Sequence, residues 1–217
     1  MADLIADPFR AARLILHLRR QGIRNDGVLS TIETINRGVF VDRSFQALAA
    51  EDAALPIPCG QMLPKPVVVA QLLSALSVTP GRQDTILLVG AGSGYVAALL
   101  AQIGRHVWAV ERYRRLVDEA SQRLKDLKVD NVKIKHGDGL AGWREHGPFD
   151  RILLMGAVSE IPEALLGQLG RGGILVAPYV AEGRPQGIRA LSKAGVKHDL
   201  PIAEPLTKLK PGLAKAL

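Results

Sequence analysis

The chain has 217 residues, with 28 Lys and Arg against 21 Asp and Glu, so its formal charge is +7. Hydrophobic residues make up 47% and charged residues 23%, which excludes a disordered chain and is enough for one core of ordinary size. No apolar run approaches the roughly 18–20 residues of a membrane-crossing helix, and the lone Cys59 excludes an internal disulfide or a cysteine-based zinc site. Asp3, Asp7, Arg10 and Arg13 interrupt the first twenty residues, unlike a secretory leader, so the expected compartment is the cytoplasm.

The first segment reads as helical, because Pro8 suits a first turn and Phe9, Ala12, Ile15 and Leu18 recur at three-residue spacing up to Gly22. Asp26 is placed to cap a second helix with Leu29, Ile32 and Ile35 on its apolar face. A loop-rich stretch from Arg43 to Pro66 carries prolines at 56, 58, 64 and 66. A third helix, Val67 to Leu76, then stops at Thr79-Pro80-Gly81.

From Thr85 the pattern alternates between short apolar runs and helices. The strands are expected at Ile86–Val89, Val107–Val110, Val132–Lys135, Arg151–Met155 and Gly173–Ala177. Between them fall helices at Tyr95–Ile103, Leu116–Leu127 and Pro162–Leu169. Such alternation specifies an α/β fold with a doubly wound, mostly parallel sheet. The tail, Ile188 to Leu217, lacks the alternation and suits an antiparallel edge hairpin; its Lys208, Lys210 and Lys215 read as a solvated end. One domain is expected over 1–217: a helical and loop region (1–80), a core (81–180) and a C-terminal segment (181–217).

Gly90-Ala91-Gly92-Ser93-Gly94 joins the first of these strands to its helix. Glycines permit a tight turn and close approach of a ligand, while the helix N-terminus offers free N–H groups. Glu111 ends the next strand, where an acid can accept both hydroxyls of a ribose. A dinucleotide fingerprint is G-x-G-x-x-G, but here the third glycine comes one residue early. The G-x-G-x-G form with a later acid is the pattern of S-adenosylmethionine (SAM) methyltransferases, so SAM is the expected cofactor.

The run His136-Gly137-Asp138-Gly139, then Gly142-Trp143 and Pro148-Phe149-Asp150, resembles the protein-L-isoaspartate O-methyltransferases. Glu51-Asp52-Ala53-Ala54-Leu55-Pro56-Ile57, Gly60-Gln61, Gly92-Ser93-Gly94-Tyr95, Val110-Glu111-Arg112 and Glu160-Ile161-Pro162 extend the likeness over about residues 14–180. The resemblance implies the SAM-dependent methyltransferase fold and methyl transfer to the free carboxylate of isoaspartyl residues in damaged proteins. It also implies that Gly90, Gly92, Ser93 and Gly94 line the methionine end of SAM, Glu111 holds the ribose, and Asp138 and Gly139 meet the adenine. An Asp can accept from the exocyclic adenine amine, although Asp138 also suits a helix cap. A carboxylate with a pKa near 4 is ionised at neutral pH, so no general base is needed and positioning remains. His136 and Trp143 accordingly read as structural.

Four places depart from the family pattern. Gly60-Gln61-Met62-Leu63-Pro64-Lys65-Pro66 stands where the family has G-Q-T-I-S-Q-P, so Met62 and Pro64 replace both hydroxyls and no catalytic side chain is assigned. Leu88 replaces an acid, Met155 a threonine, and the C-terminal segment, which the resemblance implies helps wall the substrate pocket, is altered. Losing a charged acceptor costs about 1.5–3 kcal/mol, or roughly ten- to hundred-fold in affinity. Gln61 and Lys65 are the candidate substrate contacts, Lys65 as a cation for the substrate carboxylate. The residues also leave open a non-catalytic descendant, or a methyltransferase retargeted to another substrate such as RNA. Against nucleic acid, the basic residues are scattered, and two Trp, three Tyr and four Phe offer no stacking platform. The excess charge falls partly on the first helix and the tail, expected to lie away from the cofactor.

Overall fold

The computed structural model describes residues 8–79, 81 and 83–214. Asp3, Asp7, Pro80 and Lys215 of the sequence reading lie outside them. Helix α1 (Pro8–Arg20) buries Ala11, Leu14 and Leu18 and ends where Gly22 takes φ 90°, letting the Ile23 amide donate to the Leu18 carbonyl. In α2 (Asp26–Thr34) the cap is Asn25, not Asp26: the Asn25 side chain accepts from the Val28 amide at 3.1 Å, and Asp26 is the first helical residue.

The stretch read as loop-rich is more ordered than its prolines suggest. Tight 3₁₀ turns at Arg37–Phe40 and Arg43–Leu48 precede a hairpin of β1 (Leu55–Ile57) and β2 (Gln61–Leu63), paired from Leu55 opposite Leu63 to Ile57 opposite Gln61. Three-residue strands are too short to show a period-2 pattern. Helix α3 (Pro66–Leu76) follows, with Pro66 in its first turn and nearly every side chain buried.

The core alternates β3 (Thr85–Val89), α4 (Tyr95–Ile103), β4 (His106–Glu111), α5 (Arg114–Asp126), β5 (Val132–His136), β6 (Phe149–Leu154), α6 (Glu163–Gly167), β7 (Leu169–Tyr179), β8 (Gly187–Ser192) and β9 (Gly195–Pro201). The sheet order is β5-β4-β3-β6-β7-β8-β9; β5 to β7 run parallel, whereas β8 and β9 form the expected antiparallel edge. Helix α6 is shorter than expected, because the chain enters β7 at Leu169, four residues before the apolar run beginning at Gly173.

Alternate strand residues feed opposite faces. Ile86 and Leu88 pack with residues of α1 to α5, while Leu87 and Val89 pack with Phe149, Leu154 and Leu165 on the thinner side. Trp108 and Trp143 cover part of that thinner face with His146 stacked on Trp108. Strand β3 is central, and the chain turns to its two sides from there. In open parallel sheets, that reversal leaves a crevice at the carboxyl ends of the strands. Among the described residues, no helix is long and apolar enough to cross a membrane.

Candidate functional site

A cavity of about 330 Å³ lies at the carboxyl ends of β3, β4 and β6. Its floor is the turn after β3. Gly90, Gly92 and Gly94 take φ 87°, 55° and 94°, the left-handed region that side chains disfavour. At Gly94 a Cβ would also stand 3.1 Å from the Ala120 Cβ, so this glycine lets α4 and α5 approach. An added Cβ at Gly92 or Gly90 would come into van der Waals contact with Ile57 or Met155, two other lining residues, at 3.5 and 3.6 Å. Ser93, at the mouth of α4, is buried and its Oγ has no hydrogen-bond partner among the described residues.

Glu111 is 5% exposed at the end of β4. Its Oε2 accepts from the Gly92 amide at 2.9 Å and its Oε1 from the Tyr113 amide at 3.0 Å. The carboxylate is thereby oriented by two backbone donors, and each oxygen keeps a lone pair for a further donor. Tyr113 also joins the two halves of the cavity, since its hydroxyl receives Gln61 Nε2 at 3.4 Å while that amide donates to the Cys59 carbonyl at 3.0 Å. Gln61 therefore lines the cavity, as expected, on a side chain already tethered.

The Asp138 carboxylate is more heavily engaged than its motif suggests. Oδ1 accepts from the Leu140 amide at 2.9 Å, the cap of a 3₁₀ turn, and Oδ2 accepts from the Gly212 amide at 2.7 Å. Gly139 lines the cavity and packs so close to β3 that a Cβ would lie 2.5 Å from Val89 Cγ1. Gly142 presses equally closely on Gln168, whose side chain bonds the Trp143 amide and the Ala141 and Ala164 carbonyls. His136 Nε2 sits 3.0 Å from the Arg112 carbonyl and Asp150 receives the Thr85 amide at 2.8 Å. Much of this motif is thus structural, as read for His136 and Trp143.

The opposite wall consists of β2, the residues after it and the C-terminal segment. Met62, Leu63 and Pro64 line the cavity. Beneath them Arg37 is 4% exposed, and its guanidinium donates to the carbonyls of Ala49 (3.2 Å), Ala53 (2.8 Å) and Pro64 (2.9 Å). Burial lowers the Arg37 pKa from its ordinary value and pushes that of the adjoining buried Tyr95 up to about 12. Met155 lines the cavity, whereas Leu88 is buried in the helix-covered core and does not.

Lys65 corrects an expectation: its ammonium is 2.5 Å from Glu204 and it is not part of the cavity wall. That pairing raises the Lys65 pKa, through its hydrogen bond and charge attraction to Glu204. The tail corrects another. The tail lysines read as a solvated end in the sequence, but Thr207, Lys208, Leu209 and Lys210 line the cavity, on the segment that the resemblance places at the substrate pocket. Leu209 fits over Gly156, where a Cβ would lie 2.7 Å from its Cδ2, and Thr207 and Leu209 bond Ala157 through their backbones. Sequence reasoning missed Arg37, Tyr113 and the tail lysines; only the tail lysines carried a signal, the unexplained positive charge.

The family described as protein-L-isoaspartate (D-aspartate) O-methyltransferase matches residues 10–202. The chain is 45% identical over 170 residues to a protein-L-isoaspartate O-methyltransferase of Parvibaculum lavamentivorans, covering 78% of this chain and 76% of the relative. A namesake from Azorhizobium caulinodans is 42% identical over 195 residues, 90% of this chain and 89% of the relative. Among solved structures, a protein-L-isoaspartate O-methyltransferase shares the fold with a TM-score of 0.75 at 23% identity, over 91% of this chain and 67% of that one. A Plasmodium falciparum structure of the same name, in complex with S-adenosyl-L-homocysteine (SAH), has a TM-score of 0.73 at 26% identity, over 91% of this chain and 97% of that one.

Proposed function

The chain belongs to the protein-L-isoaspartate O-methyltransferase family, and we propose that it transfers the methyl group of SAM to the free carboxylate of isoaspartyl residues in damaged cytoplasmic proteins, as a single domain. The observation that carries this reading is the Glu111 carboxylate, held by the Gly92 and Tyr113 amides at the rim of a glycine-floored cavity.

The residues present suit SAM. Ser93 Oγ is a buried polar atom without a partner among the described residues, and the faces of Gly90 and Gly92 leave room that a Cβ would fill. Gly90, Gly92 and Ser93 would hold the methionine end with Gly94 shaping the turn behind them, Glu111 the ribose hydroxyls, and Gly139 with the adjoining Asp138, which is outside the lining, the adenine. Bound there, SAM supplies an electrophilic methyl group on a sulfonium. Asp138 would accept the adenine amine with lone pairs left over from Leu140 and Gly212, since each carboxylate oxygen has two.

The protein's part in transfer is to bind and align. The substrate carboxylate is already ionised, so no side chain has to take a proton. Met62, Leu63, Pro64 and Met155 line the cavity without a hydroxyl or a charge. Such a wall excludes water and leaves one carboxylate oxygen undistracted by donors. Leu88 lies outside the cavity, so its difference from the family pattern changes packing rather than the cavity lining.

Methyl transfer from labelled SAM to an isoaspartyl peptide, its aspartyl twin and bulk RNA tests the reading. Labelling of the isoaspartyl peptide alone is expected. Equal labelling of the aspartyl twin, or labelling only of RNA, would overturn it.

A further inference from the structure

The cavity presents a mismatch of charge. Glu111 is the one carboxylate in its lining, and both its oxygens are occupied by backbone amides. Arg112, Lys208 and Lys210 also line it; the two lysines are exposed, and among the described residues neither is ion-paired. Two ammonium groups therefore stand at a cavity mouth whose own acid is held by neutral donors.

Their placement is fixed by the backbone that carries them. The Ala203 amide donates to Gln71 Oε1 at 2.8 Å, and Glu204 pairs with Lys65. Leu206 exchanges two hydrogen bonds with the Gln186 side chain, at 2.7 and 2.9 Å. Ala157 is clasped between Thr207 and Leu209, the Gly212 amide donates to Asp138 Oδ2, and the Ala214 amide donates to the Arg112 carbonyl at 3.1 Å. The strap thus crosses from the N-terminus of α3, beside Pro64, to the loop after β5. Lys208 is bridged to Ala157, just past the end of β6, and Lys210 lies two residues before the Gly212 anchor on Asp138.

We propose that Lys208 is a substrate-recognition residue, its ammonium receiving one oxygen of the incoming isoaspartyl carboxylate and leaving the other free to be methylated. This rests on the methyltransferase reading above. It also supplies a partner for the anion on the wall that Met62 and Pro64 share with the tail, a wall that these two residues leave without a hydroxyl. Lys65 is paired with Glu204 and does not line the cavity. The bond to Lys208 is charge-assisted, which makes it shorter and stronger than a neutral hydrogen bond.

The test measures binding and turnover separately. A fluorescent isoaspartyl peptide is titrated into SAH-loaded wild type, Lys208→Met, Lys208→Arg and, as a control of equal charge change, Lys193→Met in the exposed β8–β9 turn. Lys208→Met is expected to weaken peptide binding roughly five- to tenfold, Lys208→Arg to recover most of it, and Lys193→Met to behave as wild type. The SAH affinity should be the same in all four. Unchanged peptide binding by Lys208→Met, no peptide binding by wild type, or an equal loss in Lys193→Met overturns the proposal. Methyl transfer by wild type decides the reaction independently. Lys208-dependent binding without turnover would refute the reaction and keep the anchor, and turnover indifferent to Lys208→Met would do the reverse.

Discussion

Glu111 and Lys208 stand on opposite walls of one cavity and are held there by different means. Glu111 ends a strand of the parallel sheet, and the amides that orient its carboxylate come from its own immediate neighbourhood: Gly92 in the adjoining turn and Tyr113 two residues on. Lys208 sits on a segment outside the sheet, moored by side chains drawn from distant parts of the chain, among them Gln71, Gln186 and Lys65. The loop that shares its wall is moored likewise, by Arg37 reaching the Pro64 carbonyl. One wall inherits its geometry from the fold, and the other acquires it by docking. Substitutions therefore alter the docked wall with less damage to the sheet, and Met62, Pro64 and the changed tail all fall there.

The contrast breaks most visibly at Arg37. Arg37→Met leaves several buried carbonyls without a donor, each costing about 1–3 kcal/mol. At about 3 kcal/mol in total, Tm should fall by roughly 6–12 °C for a chain of this size, read by calorimetry. Glu111→Gln keeps the shape but turns an amide NH2 toward one of two backbone donors. SAH binding by titration calorimetry should weaken roughly ten- to hundred-fold, the cost of a charged acceptor. An unchanged affinity would remove Glu111 from the cofactor wall.

Deleting residues 207–217 unroofs the cavity and frees Asp138 Oδ2. SAH should then bind about fivefold more weakly, about one hydrogen bond's worth, while the far-UV spectrum of the sheet persists. A lost sheet would show that the strap belongs to the fold rather than docking on it. The smallest effect is expected for Lys65→Met. Its pair with Glu204 is half-exposed, so Tm and SAH affinity should both stay within error.

The sequence reading succeeded where local rules coincide with the fold. Thr85 to Val110 showed two apolar runs, a glycine turn and an acid at fixed spacing, and the structure assembles them as β3, α4 and β4 around one cavity. It fell short where a role depends on distant partners. Arg37 reads as an ordinary charged residue, but folding buries it among carbonyls 12 to 27 positions away. The hairpin of β1 and β2 was invisible because three residues cannot display a period. Lys65 looked suited to a substrate only until Glu204, far along the chain, came beside it.

The net charge of +7 shows the same division. Composition and motifs alone determined an α/β chain with a glycine-floored cofactor turn and an acid at the next strand end, because hydrophobic period and glycine conformation are local properties. Where the positive charge acts was decided only by tertiary structure. The antiparallel edge returns the chain over the strand ends, and Gly156 leaves space for Leu209 to seat. That path carries two lysines, which composition alone placed in solvent, to the mouth of the cavity.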